Sequence, residues 1–272
     1  MYLFDKRYAE GRFGYPLLLI ESVVTTVLGI SMGFLLFPEE AGLVGVFLIA
    51  LSQGRTVNVL LERNRSEIWE GRSTPGAANF KLAKCLFVIF IGILLTYAMA
   101  TLFVPDAGLD KLFERQIGDY AGQSVDGMVF SDVGDILGHN MIVLLACFLF
   151  SLLYRHGGML FILAWNASVW GVVFSYLARS APDITKAGSI FFATKFFLSI
   201  FPHLLLEALA YIFIAMAGVF VSKALQKYEP GSTKFNQVSI AAIKIALLSI
   251  LTLIAAGGLE SALTPVLIDL MF

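Results

Sequence analysis

The chain has 272 residues, of which 58% are hydrophobic and only 14% are charged, and its formal net charge is −1. A mean hydropathy of +0.82 excludes an ordinary soluble domain and indicates a polytopic membrane protein. The near-neutral charge, without a basic patch that carries interleaved aromatic residues, gives no support for nucleic-acid binding.

Apolar windows of about 20 residues predict the membrane-spanning helices. They are Pro16–Phe37, Ala41–Leu61, Lys84–Val104, Ile136–Tyr154, Gly158–Ala178, Pro202–Lys223 and Val238–Gly258. We therefore predict an all-α transmembrane bundle of about seven spans, forming one membrane domain over residues 1–272. Residues 1–104 contain the first three spans, residues 105–135 an outer amphipathic segment, and residues 136–272 the other four spans. The fourth and fifth spans are joined by a turn at Gly157 and Gly158.

Basic residues predict the orientation, because cytoplasmic segments of membrane proteins carry an excess of lysine and arginine. With the N-terminus inside, the cytoplasmic segments contain Lys6, Arg7, Arg12, Arg63, Arg65, Arg72, Lys81, Lys84, Arg155, Lys223, Lys227 and Lys234. Outside the apolar stretch Ser189–Val221, the outer segments contain only Lys111, Arg115, Arg179 and Lys186. This twelve-to-four bias predicts a multi-pass protein of the cell membrane with a cytoplasmic N-terminus and an outer C-terminus.

Two segments between spans are predicted to lie at the membrane interface. Residues Leu109–Tyr120 place apolar side chains on one helical stripe and charged side chains opposite, as in a helix that lies on the outer leaflet. Residues Glu62–Lys81 carry Trp69 as a candidate headgroup anchor, and Pro75 with the following glycine predicts a break.

A third interfacial segment is predicted from the apolar stretch Ser189–Val221, which is too long for one span. It contains Pro202, which lacks a backbone N–H and suits the first turn of a new helix. We therefore predict that Ser189–Phe201 forms a separate short helix along the outer interface. A re-entrant dip into the membrane is the alternative.

Polar residues in or beside the spans are candidates for function, because an ionisable side chain in the centre of a span costs about 2.5–3.5 kcal/mol on insertion scales. They are His139, Asn140, Asn166, His203, Glu207 and Glu260. Under the predicted topology all except Asn166 converge on the outer leaflet, and His203 and Glu207 share one helical face. Such a cluster could bind a cation, a lipid headgroup or a transmembrane partner. The alternative is that these residues are polar contacts that join helices.

Other polar residues indicate structure rather than chemistry. Glu21 and Arg55 lie at comparable depth in the first two spans and are predicted to form a structural ion pair. Cys85 and Cys147 have no CxxC partner or nearby histidine, which predicts neither a disulfide nor a metal cluster. No zinc-protease, phosphate-loop or Ser/His/Asp signature is present, so no catalytic residue and no cofactor are predicted.

Three stretches resemble the stage II sporulation protein M family. They are HNMIVLLACFLFSLLYRHGGMLFILAWNASVWG (His139–Gly171), FPHLLLEALAYIFIAMAG (Phe201–Gly218) and IAAGGLESALTP (Ile254–Pro265). The positions that match the family pattern are Asn140, Asn166, His203, Glu207, Glu260 and Pro265. The chain departs from the pattern at Leu204, where the family usually has glycine, and at Ala208, where the family usually has an aliphatic residue. The first two spans are interpreted as an addition.

The resemblance implies a membrane scaffold that is not itself an enzyme and that, in sporulating bacteria, holds cell-wall-degrading partners during engulfment. We accordingly expect this chain to recruit or position envelope-remodelling proteins through its outer helices. The alternative is an ion- or proton-linked transporter or channel that uses the outer His/Glu cluster, although no internal repeat is evident. The expected partners are membrane lipids and envelope or membrane proteins, and assembly into a homo-oligomer is left open.

Overall fold

The computed structural model describes residues 14–118, 133–180, 186–263 and 266–267, and these residues form an all-helical bundle. The helices are α1 (Tyr15–Leu36), α2 (Ala41–Trp69), α3 (Pro75–Phe103), α4 (Asp106–Ile117), α5 (Val133–Ser180), α6 (Lys186–Lys227) and α7 (Thr233–Ala262), with a 3-10 turn over Pro38–Glu40. Six stretches of the described chain are long and apolar enough to cross a membrane. The predicted all-α membrane bundle is confirmed.

Helix α5 is a hairpin of two halves. Arg155 interrupts it with φ 57° and ψ −135°, a backbone region that favours glycine. The chain reverses there, since the rings of Phe150 and Phe161 stack with centroids 6.0 Å apart, whereas eleven residues of straight helix would span about 16 Å. A Cβ on Gly158 would lie 2.0 Å from the Phe150 carbonyl oxygen, so the close approach of the halves requires glycine. The predicted turn is confirmed, and the six stretches contain seven crossing segments.

Helix α6 continues through Pro202, so the predicted division into a separate helix over Ser189–Phe201 is wrong. Ile200 and Leu204, on either side of the proline, are both buried in one apolar cluster with Val173 of α5. This shared contact holds both sides of the proline against the same neighbour. Packing against a neighbouring helix therefore keeps α6 continuous, and proline is tolerated in membrane helices.

Helix α6 is also the most enclosed of the spans. In its most apolar window 72% of the residues are buried, compared with 28% in α1 and 22% in α7. It packs chiefly against α5 and α7. A Cβ on Gly218 would lie 2.7 Å from the Phe148 carbonyl oxygen, so a small residue permits the close contact with α5. Ser249 Oγ of α7 donates to the Ala210 carbonyl oxygen at 2.7 Å.

Helix α4 lies within the predicted amphipathic segment, and its apolar stripe packs against the bundle. Leu109, Phe113 and Ile117 are buried, and the Phe113 ring meets Tyr97 of α3 edge-on at 5.8 Å between centroids. Residues 119–120 of the predicted helix lie outside the described residues. The buried stripe therefore faces protein, where the sequence had suggested lipid.

The segment predicted at the inner interface belongs to two long helices. Helix α2 runs on to Trp69, well beyond the end of the predicted span, and α3 begins at Pro75. Thr74 caps α3 by accepting a hydrogen bond from the backbone N–H of Ala77 at 3.4 Å. The reversal between them uses Gly71 at φ 69°, and the predicted break before Pro75 is confirmed.

Candidate functional site

Glu207 lies inside the bundle and is hydrogen-bonded within its own helix. Its residue is only 7% exposed, and Tyr211 Oη donates to Glu207 Oε1 at 2.5 Å. The four-residue spacing places both side chains on one face of α6. A carboxyl group that is removed from water is costly unless it has a hydrogen-bond partner, and the tyrosine supplies one.

The Glu207–Tyr211 pair is surrounded by residues from both neighbouring helices. Trp170, from the second half of α5, packs against the Tyr211 ring with centroids 6.3 Å apart. Cys147, from the first half of α5, is close enough to interact electrostatically with Glu207 and Tyr211. Glu260 of α7 also lies within electrostatic range of Glu207. The site therefore gathers residues of α5, α6 and α7 around one buried carboxyl group.

Two further predicted site residues lie beside or near this pair. His203 is 6% exposed and lies one turn before Glu207 on α6. Glu260 is half-buried near the C-terminal end of α7, where the following residue, Ser261, is exposed. Glu260 is therefore less buried than Glu207, with which it interacts electrostatically.

The remaining predicted site residues differ from the buried Glu207–Tyr211 pair in their burial or in their hydrogen-bond partners. Asn166 is 9% exposed, and its Nδ2 donates to the Ile162 carbonyl oxygen at 2.8 Å, one turn back on its own helix. His139 is exposed near the start of α5, and Asn140 is half-buried. The described structure does not bury His139 with Glu207, whereas sequence spacing had grouped them at one leaflet.

Tyr211 and Trp170 are members of the site that sequence reasoning missed. Tyr211 follows Glu207 by four residues in a helix, so the spacing could have identified it as a hydrogen-bond donor. Trp170 reaches the site only because α5 crosses α6, and no local pattern in the sequence signals that crossing.

The predicted Glu21–Arg55 ion pair lies at the contact between α1 and α2. Thr56 Oγ1 donates to Glu21 Oε1 at 2.6 Å, and Gln53 Nε2 donates to Thr25 Oγ1 at 2.8 Å. Polar contacts therefore join the two helices at this depth. The pairing of Glu21 with Arg55 itself stays a prediction.

A second polar cluster joins the C-terminal ends of α2 and α6, and we call it the Glu62 cluster. The Glu62 carboxylate pairs with Lys223 Nζ at 2.8 Å, Arg65 Nε at 2.9 Å and Lys227 Nζ at 3.3 Å. The sequence analysis used these basic residues only to predict the orientation of the chain in the membrane, and it did not predict that they contact one another's helices. The contacts place the ends of α2 and α6 at the same end of the bundle.

Neither cysteine is engaged in a disulfide, since Cys85 and Cys147 are both free and buried. Within the described ranges, no three His, Cys, Asp or Glu side chains are grouped so that they could hold a metal ion. The groups near Glu207 that are available to act chemically are therefore its own carboxyl, the phenol of Tyr211, the thiol of Cys147 and the imidazole of His203, with the carboxyl of Glu260 within electrostatic range.

Comparison with known proteins identifies the family. Residues 85–265, two thirds of the chain, match the family model described as Stage II sporulation protein M. The match begins upstream of His139, where the sequence resemblance began, so it includes most of α3, and it leaves α1 and α2 outside. A search of curated proteins and a search of solved structures each found no match. The chain belongs to the stage II sporulation protein M family.

Proposed function

We propose that this protein is an integral membrane scaffold that recruits or positions cell-envelope-remodelling proteins and is not itself catalytic. The observation that carries the proposal is the family match over residues 85–265, which contains both halves of α5 and the whole of α6 and α7. These helices hold the Glu207–Tyr211 pair. The sequence resemblance implies cell-wall-degrading proteins as the partners.

The arrangement around Glu207 suits a fixed binding surface. The carboxyl group is bonded to Tyr211, and Trp170 packs on the tyrosine ring, so the side chains hold one another in place. Buried polar contacts of this kind set the register between membrane helices. The half-buried Glu260, next to the exposed Ser261, extends the polar site towards the surface where a partner would bind.

The experiment is co-purification from native membranes in mild detergent, with bound proteins quantified by mass spectrometry. The wild type is compared with Glu207→Gln, which preserves shape and removes the ionisable group. Glu114→Gln is the matched control, because Glu114 is exposed on α4 and away from the site. We expect the wild type and the control to enrich cell-wall-degrading proteins. Glu207→Gln still accepts the hydrogen bond from Tyr211 and should fold normally. It should enrich them roughly fivefold less, because it loses one charge-dependent contact with the partner, worth about 1 kcal/mol.

The proposal fails if no cell-wall-degrading protein is enriched, or if Glu207→Gln enriches them as well as the wild type does. Reconstitution into liposomes gives an independent check. Proton or cation flux that Glu207→Gln abolishes would identify a transporter and would contradict the scaffold.

A further inference from the structure

A cavity of about 550 Å³ lies at the end of the bundle where α2, α6 and α7 meet. Its basic lining consists of Arg65, Lys223, Lys227 and Lys244. Its apolar and aromatic lining includes Trp69, Phe220, Tyr228, Ile240 and Ala241. A basic wall beside an apolar one matches the two parts of an anionic phospholipid, the phosphate headgroup and the acyl chain.

The basic wall carries more positive charge than its protein partner neutralises. Arg65, Lys223 and Lys227 all pair with the single carboxylate of Glu62. Lys244 has no acidic partner among the described residues. Four cations against one carboxylate leave a net charge of +3 beside the cavity.

Lys244 occupies a position where a lysine is costly without a counter-charge. It is exposed on α7, and Ile240 and Leu248, one turn on either side, are also exposed, at 53% and 47%. This face of α7 is therefore apolar and turned outward to lipid. Val238, where the predicted span begins, lies six residues away, or about 9 Å along the helix. A lysine at that depth extends its ammonium group towards the headgroups, where a phosphate supplies the missing negative charge.

The aromatic residues of the cavity lie beside its basic wall, at the headgroup level that the sequence predicts for Trp69. The rings of Trp69 and Tyr228 meet edge-on with centroids 6.2 Å apart. Tryptophan and tyrosine are enriched at this level because one part of the ring is apolar and another donates a hydrogen bond. Below them, Phe220 and Ile240 continue the apolar wall along α6 and α7.

We propose that this cavity binds one anionic phospholipid from the leaflet at this end of the bundle. Its phosphate pairs with Lys244 and the basic wall, and one acyl chain lies against Phe220 and Ile240. The inference is independent of the proposed scaffold function, because it uses a different site, about 30 Å along α6 from His203.

The test uses the full chain, purified in detergent and titrated with phosphatidylglycerol or phosphatidylcholine, with bound lipid measured by native mass spectrometry. We expect a clear preference for the anionic lipid. Lys244→Gln should lower that preference roughly fivefold, the factor that one basic residue near a membrane surface contributes. Lys244→Arg should retain it. Lys84→Gln is the matched control, because Lys84 is an exposed lysine on α3 that lies over the Phe80 ring and does not line the cavity.

A second measurement locates the lipid. The chain has three tryptophans, and a variant in which Trp165 and Trp170 are replaced by Phe keeps only Trp69 as a fluorophore. Phosphatidylglycerol with a brominated acyl chain should quench Trp69 at lower mole fraction than brominated phosphatidylcholine does. If that variant does not fold, the titration of the otherwise unaltered chain still decides the matter.

Three outcomes would overturn the proposal. One is equal binding of the two lipids, and another is the same loss of preference in Lys84→Gln as in Lys244→Gln. The third is displacement of phosphatidylglycerol by millimolar inorganic phosphate, which would show that the basic wall takes a soluble anion rather than a lipid.

Discussion

Gly171 marks a close approach between α3 and the second half of α5. A Cβ at this position would lie 2.5 Å from the Leu94 carbonyl oxygen, 2.9 Å from Tyr97 Cβ and 3.0 Å from the Ala98 backbone nitrogen. Two of these are backbone atoms, which cannot rotate away. Ordinary contacts of a Cβ begin near 3.4 Å, so Gly171→Ala requires the two helices to separate locally by about 1 Å.

Overpacking of this kind costs about 1–3 kcal/mol, and we expect Gly171→Ala to destabilise the protein by that amount. Gly138→Ala is the matched control, since Gly138 is also helical in α5 and a Cβ there would meet nothing within 4 Å. Alanine is favoured over glycine in a helix by up to about 1 kcal/mol. The same substitution at two positions of α5 should therefore have opposite effects on stability.

The two buried cysteines supply the assay. Cys85 and Cys147 are buried in the folded protein, so a thiol-reactive fluorogenic dye should label them much faster as the bundle unfolds on heating. We expect Gly171→Ala to unfold at a lower temperature than the wild type, and Gly138→Ala at the same or a higher temperature. A Gly171→Ala variant that unfolds at or above the wild-type temperature would show that α3 and α5 do not approach so closely.

The hairpin turn, the contact between α1 and α2, and the orientation in the membrane give three further predictions. Arg155→Gly should stabilise the protein by about 1 kcal/mol in the same assay, because glycine relieves the backbone strain at φ 57° and ψ −135°. Arg155→Ala should give no such gain, and equal effects of the two substitutions would argue against the strain. If Glu21 and Arg55 pair, replacing both by Leu should reduce the folded yield less than the two single losses combined, and additive losses would mean that they are not partners. Reporter fusions after Gly71 and Gly118 should report opposite compartments, with Gly71 cytoplasmic, and a shared compartment would refute the topology.

The number of spans could be predicted because lipid imposes a simple requirement on sequence. A helix that crosses the hydrocarbon needs about 20 apolar residues, and such a stretch can be recognised in the sequence without knowledge of the tertiary structure. Hydropathy does not define where helices end, however. Helix α2 continues through charged residues to Trp69, because its end is set by the glycine turn and by the cap at Thr74 rather than by the edge of the apolar stretch.

The predictions made from the sequence were wrong where packing against a neighbouring helix determines the structure. Pro202 carries a local penalty that predicts a break, but Ile200 and Leu204 pack into the same cluster and keep α6 continuous. An amphipathic stripe shows that one face of a helix is buried without showing what covers it. Phe113 of α4 is covered by protein for that reason, although its pattern equally fits the membrane surface.

In the candidate site too, local contacts could be predicted from the sequence, whereas contacts between helices could not. The four-residue spacing of Glu207 and Tyr211 is local, and it is sufficient to place a donor next to the carboxyl group. Trp170 and Cys147 come from elsewhere in the chain and depend on how α5 crosses α6. Asn166 bonds back to its own helix at Ile162, which spacing alone could not distinguish from a contact with another helix.

The enclosure of α6 implies an order of events during synthesis. A nascent chain emerges N-terminus first, so α5 is available when α6 leaves the translocon, but α7 is not. Until α7 arrives, the flank of α6 that it covers faces lipid, and His203 and Glu207 make that intermediate less favourable. A chain that stalls after Lys227 should therefore be recognised by membrane quality-control proteases. We expect the protein to become long-lived in the cell only after α7 has been inserted.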